Sequence, residues 1–482
     1  MNLSFNVVVA GCGVAGLSAA VTAAERGLRV AILERAPREH RGGQSRYTEA
    51  YLRMKALDAV SDDFETHLAE NVGLYVDPDF AGEMGIERGS RSPMARALAI
   101  PDADLISTFA EQVPPTISWL QGLGVKFDFL PTQFLTKTQP RLLPVGGGEA
   151  LVEAMAARAE QLGVEFFYET TARRLLLDEA GQVEGIVAHK QAQGTLNFRG
   201  KVVLASGGFE GNPALLAKYL GPRAVYLRPV CKGGYFNRGE GIEMALEIGA
   251  GPCGDFGSYH AEPVDPRSGV SEPSVFIFPY GILVNKAGKR FANEAPGTVD
   301  AWYERVTRRI YEQEEGVAYV ILDQRVKDIP NYRLAIRTDQ PAIEATTLEG
   351  LASKLGMPPA ALRRTVEEYN AACPKGAEGY DALRADGVAT SGLEPPKSNW
   401  SLPLDQGPFM AYPIISSNVF TFGGLKINEL GQVLDTDGAV MPNLYAAGET
   451  VGMYYTNYTG ATSVLKGLVF GRLAATHIAA QQ

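Results

Sequence analysis

The chain has 482 residues, 45% hydrophobic and 21% charged, with 45 Lys+Arg against 55 Asp+Glu. That is the composition of a soluble globular protein with a large core, and a net charge of −10 argues against a general nucleic-acid surface, though not against a local basic pocket. Cys12, Cys231, Cys253 and Cys373 are scattered without zinc or iron–sulfur spacing, and no apolar run reaches the roughly eighteen residues of a membrane span, so we expect no metal site, no direct span, and reduced thiols in a cytoplasmic protein.

Asn6 to Ala10 reads as a short buried strand, and Gly11-Cys12-Gly13-Val14-Ala15-Gly16 follows at once. Leu17 to Arg26 has helical spacing, and Leu28 to Leu33 is a second strand that ends at Glu34. This is the βαβ dinucleotide fingerprint in its full context. Gly11 allows the tight turn, Gly13 lets backbone N–H groups approach a pyrophosphate, and Gly16 lets the helix pack on the strand. The helix N-terminus brings free donors and partial positive charge to the phosphates. Glu34, eighteen residues after Gly16, stands where a carboxylate accepts from ribose hydroxyls. The ligand is NAD or FAD; the acid argues against a 2′-phosphate and hence against NADP.

The loop Arg41 to Ala50 contains Gly42, Gly43, Gln44, Ser45 and Arg46 and reads as a segment lying along a cofactor. Residues 62–125 have a mostly helical pattern, strongest from Leu105 to Leu123, with Trp119 expected in the core. Gly146-Gly-Gly148 leads into a helix from Glu149 to Leu162, and three short strands are expected at Val164–Tyr168, Arg173–Leu177 and Val183–Ala188. Lys201 to Ala205 is a further buried strand, running into Ser206-Gly207-Gly208. A helix at Glu240–Gly249 closes this part. Beyond it the texture changes: His260 to Arg267 is loop-like, Ile282–Asn285 and Arg290–Glu294 suggest a hairpin, and Val299–Glu312 and Pro358–Ala372 are helical. Residues 374–410 have no clear period, and the block 256–417 reads as a separate inserted unit. A hairpin at Gly431–Gly438, a strand Asn443–Glu449 and a final helix Ser463–Ala475 follow.

In order, the Gly11–Gly16 fingerprint with Glu34, the Gly42–Ser45 loop, Ala205-Ser206-Gly207-Gly208 and Tyr445-Ala-Ala-Gly448-Glu449 resemble the successive motifs of the fumarate reductase/succinate dehydrogenase flavoprotein superfamily, over nearly the whole chain. Gly42–Ala50, Phe278–Asn285, and Tyr455–Tyr458 with Val469–Arg472 most resemble its FAD-dependent tricarballylate dehydrogenase branch. The resemblance implies an α/β protein: a Rossmann-type FAD-binding domain made of residues 1–255 and 418–482, with an inserted α+β capping domain at 256–417. It places Glu34 at the adenosine ribose with Arg35 beside it. Gly42, Gly43, Gln44 and Ser45 would lie by the pyrophosphate and flavin, with Ala172, Ser206, Gly207 and Gly208 on the same site. Glu449, after Gly448, would take a ribityl hydroxyl, and Ser463, Val464 and Leu465 would present helix N–H groups to the flavin N1/O2 edge.

Departures from the pattern carry information too. Gln44 stands where members with covalent FAD carry histidine, so non-covalent FAD is expected. Fumarate reductases place an arginine proton donor where Ala295–Asp300 has none, an arginine at the Tyr458 position and a histidine at the Phe420 position. Fumarate reduction is therefore not expected. A tyrosine at the Tyr458 position resembles ketosteroid 1-dehydrogenases.

The resemblance implies desaturation of a CH–CH bond next to a carboxylate or carbonyl, with hydride going to flavin N5 and a proton to a protein base. Tricarballylate to aconitate is the leading expectation. The alternatives are desaturation of a cyclic ketone, a tetrapyrrole-pathway monooxygenase and an electron carrier. Tyr458, Tyr280 and His260 are the catalytic candidates. Arg46, Arg141 and Tyr455 are candidate substrate contacts, the arginines because guanidinium pairs with carboxylate in planar fashion. Arg238 and Arg305 are weaker candidates. With no cysteine cluster, electrons would leave to O₂, a quinone or a separate redox protein.

Overall fold

The computed structural model describes residues 2–71, 77–136, 141–191 and 193–481. Strand β1 (Asn2–Ala10), helix α1 (Val14–Glu25) and strand β2 (Val30–Leu33) form the opening unit. Val7–Ala10 pair in parallel with Val30–Leu33 on one side and with Lys201–Leu204 on the other. All but Lys201 are buried, which is why the sequence here is a continuous apolar run and not an alternating one. The sheet has eight strands, with Gln432–Leu434, Val440–Ala446, Gly194–Leu204, β1, β2 and Glu165–Phe167 in spatial order. Thr170–Leu177 and Val183–Lys190 extend it as antiparallel partners.

Helix α1 packs against the last helix, Ser463–Ala480, and against Gly147–Gln161. The approach of α1 to the last helix depends on glycine: a Cβ on Gly471 would fall 2.2 Å from Ser18 Oγ. That packing brings the starts of both helices to the same end of the sheet.

A second sheet of six strands is built on one long strand, Phe409–Thr421. Tyr259–Val264, Val317–Leu322 and Ile343–Ala345 pair with it antiparallel, Arg228–Pro229 pairs in parallel, and Ile282–Val284 adds to Val317–Leu322. Along Ile282–Val284 the side chains alternate between two apolar clusters: Leu283 joins Phe276, Val320 and Ile414, while Ile282 and Val284 join Ile321, Leu362 and Tyr369. Period-2 alternation into two cores means both faces of this sheet are covered.

Several expected elements differ. His260–Arg267 is not a loop at its start; Tyr259–Val264 is a strand whose six residues are all buried, and Glu262 and Pro263 disguise the pattern. Ile282–Val284 pairs with Val317–Leu322 and not with Arg290–Glu294, apart from a bridge between Val284 and Arg290. Glu294 turns inward there, accepting from Leu283 N–H at 3.0 Å and from Arg290. The strand Phe409–Thr421 went unread because its residues are buried on both faces and show no period. Trp119 is only half-buried, with Nε1 donating to Glu25 at 3.1 Å. Within the helical stretch 62–125, residues 72–76 lie outside the described residues. No helix among the described residues is long and apolar enough to cross a membrane.

Candidate active site

The carboxyl ends of β1, β2 and Gly194–Leu204 open onto a cleft at the position where open parallel sheets bind ligands. Gly11, Gly13, Val14, Ala15, Glu34, Arg35, Gly42, Gly43, Gln44, Ser45, Ala172, Ser206, Gly207, Gly448, Glu449, Ser463 and Val464 line it. Gly16, Gly208 and Leu465 do not. A Cβ on Gly16 would meet Gly11 O at 2.1 Å, so that glycine seats α1 on the turn. A Cβ on Gly208 would meet Thr421 Oγ1 at 2.1 Å and Glu449 Oε1 at 2.2 Å, so it makes room for the Glu449 carboxyl. Leu465 points into the core.

The lining fits a flavin dinucleotide. Gly11 has φ +107°, and a Cβ there would strike Ala205 O at 2.2 Å. Gly13 is different: its φ is −71° and no atom lies closer than 3.4 Å to its missing Cβ. Bare backbone at Gly13 serves something that approaches from the cleft. The N-cap Gly13 has no side chain to cap α1; Val14 N–H reaches Ser45 Oγ at 3.4 Å, and the start of the helix lines the cleft. Glu34 is held on the wall by Cys12 N–H at 2.9 Å and Ala36 N–H at 2.7 Å, and burial pushes its carboxyl up. Ser206 Oγ is buried there without a hydrogen-bond partner among the described residues. Arg35 is tied to Glu240, and Gln44 donates to Val419 O at 2.5 Å.

A second cavity adjoins the first, and Thr48, Glu272, Val419, Phe420, Ser463 and Val464 line both. Tyr458, His260 and Arg141 come together in it. The rings of His260 and Tyr458 are 4.5 Å apart. His260 Nδ1 lies 3.2 Å from Glu304 Oε2, and its Nε2 lies 3.1 Å from the Tyr303 hydroxyl. Tyr458 Oη accepts from Thr462 N–H and Ser463 N–H at 3.1 Å each and donates to Ser463 Oγ at 3.0 Å. The phenol oxygen thus sits at the start of the last helix, where the dipole favours negative charge. Burial alone would raise the Glu304 carboxyl. The hydrogen bond and charge of His260, with Arg308 at 2.8 Å, outweigh burial and hold it below the usual range.

Three candidates lie elsewhere. Tyr280 donates to Ala382 O at 2.6 Å, packs on Trp400 and lines neither cavity. Arg46 turns outward to Glu153 at 2.6 Å and Glu149 at 2.5 Å, although Ser45 and Thr48 beside it face the clefts. Tyr455 is buried and accepts from Gly254 N–H at 3.0 Å, a packing role beside Cys253. Each sits inside a correct motif; the motif does not say which way the side chain points. Arg238 is exposed, and Arg305 lies over Trp302, outside both cavities.

Sequence reasoning missed Glu49, Tyr51, Arg53, Glu262, Glu272, Tyr303 and Glu304, which line the second cavity. Glu272 is the only ionisable residue of the six shared by both cavities. Its φ of +48° is strained for a non-glycine residue. Burial, then the charge of Glu262, push its carboxyl well up, against the pull of Arg337 at 3.3 Å. The available signal was a lone acid preceding the apolar run Val275–Phe278.

A glycine-lined nucleotide cleft sharing a wall with a second cavity, on this sheet, defines an FAD-binding flavoprotein. The chain belongs to the FAD binding domain family, whose description matches residues 6–465. It is 28% identical to the NADH:acrylate oxidoreductase of Vibrio harveyi, covering 97% of this chain and 50% of that one, so it spans about half the length of that relative. It is also 28% identical to the 4-oxocyclohexanecarboxylate 2-dehydrogenase of Sinomonas cyclohexanicum, over 99% of this chain and 93% of that one. In fold it matches the open conformation of a flavocytochrome c3 fumarate reductase, with a TM-score of 0.72 at 24% identity over 99% of this chain and 78% of that one. FAD is its cofactor, and the superfamily expected from the motifs is the one found; the tricarballylate branch is not resolved by these likenesses.

Proposed function

We propose that the chain is an FAD-dependent oxidoreductase acting on a carbon–carbon bond next to a single carbonyl or carboxylate, on a compact ring-bearing substrate. The observation that carries this is the charge inventory of the second cavity. Among the described residues its arginines are Arg53 and Arg141. Arg53 is committed to Asp63, while Arg141 lies against Gly460 without an ion pair among those residues. Glu49, Glu262, Glu272 and Glu304 line the same space. One anionic or carbonyl group can be met by Arg141. The second and third carboxylates of tricarballylate would find no further uncommitted arginine among the described lining residues, and an unpaired buried carboxylate costs several kcal/mol. Phe134, Tyr303, Phe420 and Tyr458 provide aromatic walls that suit a ring. The relative that acts on 4-oxocyclohexanecarboxylate, a ring with one ketone and one carboxylate, supports the same reading.

Bound FAD would supply the hydride acceptor or donor at N5. In our reading Arg141 orients the carbonyl or carboxylate end. Tyr458 holds or takes the proton at the reacting carbon or carbonyl oxygen, with its own oxygen supported by two backbone N–H groups. His260, fixed by Glu304, keeps Tyr303 and Tyr458 in place. The unit at 256–417 acts as the cap, contributing His260, Glu262, Glu272, Tyr303 and Glu304. Electrons leave to O₂, a quinone or a separate redox protein.

Anaerobic mixing tests this by following the flavin absorption band. The oxidised holoprotein would meet 4-oxocyclohexanecarboxylate, a cyclic ketone and tricarballylate; the reduced form would meet the corresponding unsaturated compounds. A ring substrate should exchange electrons with the flavin. Tyr458→Phe should slow that step by roughly 10²–10⁴-fold, and Arg141→Ala should weaken saturation by about 10- to 100-fold. Exchange with tricarballylate alone would overturn the ring reading and restore the tricarboxylate one.

A further inference from the structure

Glu210 lies behind the wall of the cofactor cleft, 1% exposed. Its Oε1 accepts from Asn237 Nδ2 at 2.6 Å, and the same nitrogen reaches Glu449 Oε2 at 3.4 Å. Glu449 faces the cleft, its Oε1 accepting from Thr421 N–H at 2.8 Å and the Thr421 hydroxyl at 3.2 Å. One amide therefore holds two carboxyl groups side by side. Gly207, with φ +78°, leaves the space for it: a Cβ there would fall 2.4 Å from Asn237 Nδ2.

The remaining oxygen, Glu210 Oε2, is buried with no hydrogen-bond donor among the described residues, and the Glu210 and Glu449 carboxyl groups lie within side-chain hydrogen-bonding reach of each other. Two ionised carboxylates here would repel through a low-dielectric medium and leave that acceptor orphaned. A single proton between them removes both costs. We propose that Glu210 and Glu449 share one proton, leaving one negative charge against the cofactor cleft, and that the pair binds a second proton from solvent when the cofactor is reduced. The uptake is CO₂H/CO₂⁻ plus H⁺ giving two CO₂H; the electrons come from the reductant that reduces the cofactor, and none passes through the pair. The driving force is Coulombic: added negative charge in the cleft raises the proton affinity of the neighbouring carboxylate.

The groups facing the pair are consistent with this. Burial, then the charge of Glu449, push Glu210 well above the usual carboxylate range, and burial raises Glu449 against its hydrogen bonds. From the last helix, Lys466 acts on Glu449 while donating to Val451 O at 2.8 Å; burial lowers its ammonium to about 8. Cys231, itself raised by burial, feels Glu210 from the Val230–Cys231 side. Asn237 and Thr421 do not titrate.

Infrared difference spectra of the holoprotein, oxidised minus dithionite-reduced, in H₂O and D₂O, test the proposal without any substrate. The wild type should show a carboxylic-acid carbonyl signal that shifts in D₂O and changes on reduction. Glu210→Gln should lose it and Glu210→Asp should displace it. A wild type with no such signal, or a signal untouched in Glu210→Gln, overturns the pair. If Glu210→Gln does not retain flavin, Glu210→Asp decides: an undisplaced signal overturns it. Because no substrate enters, failure here is separate from failure of the ring-substrate reading.

Discussion

A methyl group added at Gly11 would sit 2.2 Å from the Ala205 carbonyl oxygen, at a φ of +107° that an L side chain resists. At Gly13 the same addition meets nothing nearer than 3.4 Å. Gly11→Ala should therefore cost the fold about 4 kcal/mol or more, read as a lower midpoint in urea for the flavin-free protein. Gly13→Ala should leave that midpoint nearly unchanged and weaken flavin retention, read as the ratio of visible to 280 nm absorbance. Equal loss of stability in both would contradict the distinction. Glu304 makes a second residue-scale case. Its folded carboxyl is held low, so its stabilisation is fully present above the unfolded value near 4.5 and is lost as pH falls through the folded one. Glu304→Gln should cost about 3 kcal/mol at neutral pH, since Arg308 stays behind with its partner gone. The variant should also have a flatter acid limb than the wild type in thermal melts from pH 6 to 3.

At the scale of elements, the last helix does two jobs with one geometry. Its start carries Ser463 and Val464 to the shared wall of both cavities, and its body lies against α1. Gly471 permits that contact, with Ser18 Oγ and Ala15 O at 2.2 and 2.4 Å from its missing Cβ. Gly471→Ala should force the helices apart, at about 1–3 kcal/mol, and should weaken flavin binding too, because Ala15 and Val464 line the same cleft from the two helices. Flavin titration of the apoprotein beside a melting curve would check this: lost stability with unchanged flavin affinity would show that helix docking does not set the cleft. Phe409–Thr421 plays the corresponding part for the second sheet. It runs from that sheet to Val419 and Phe420 at the cavities, so it joins the sheet that carries His260 to the wall shared by the two cavities.

For the molecule as a whole, two fully buried lysines set an alkaline signature. Lys397 donates to Gly281 O at 2.6 Å, and Lys466 lies by the first cleft; burial lowers each to about 8. Between about 8 and the unfolded value of 10.5 the unfolded chain binds the proton that the folded one has released. Stability therefore gains up to about 1.4 kcal/mol per pH unit from each lysine across that window. Above about 10 the buried tyrosines, Tyr303 and Tyr454 among them, act the other way, since burial holds their phenols protonated in the fold. Lys397→Met should flatten the rise between pH 8 and 10 relative to wild type. A variant with an identical slope would show that Lys397 is not neutralised in the fold.

The cofactor site was legible because its chemistry is local. A strand, three glycines, a helix and an acid within thirty-four residues must form one turn, whatever surrounds them, and the Ser206–Gly207 and Gly448–Glu449 turns follow the same logic at the ends of neighbouring strands. Backbone conformation and short-range sterics are written in consecutive residues. The second cavity draws on distant ones: His260 from the strand Tyr259–Val264, Tyr303 and Glu304 from the helix Val299–Tyr311, Arg141 from a loop, Tyr458 from the turn before the last helix. Periodicity located several of these segments but could not orient side chains, so Arg46 was expected in the pocket and is held outside by Glu149 and Glu153, while Glu272 was passed over and stands between the two cavities. Sequence by itself determined the nucleotide cradle, because that depends on neighbours in the chain. Only the tertiary structure decided which charges face the second cavity, because pairing and burial depend on neighbours in space.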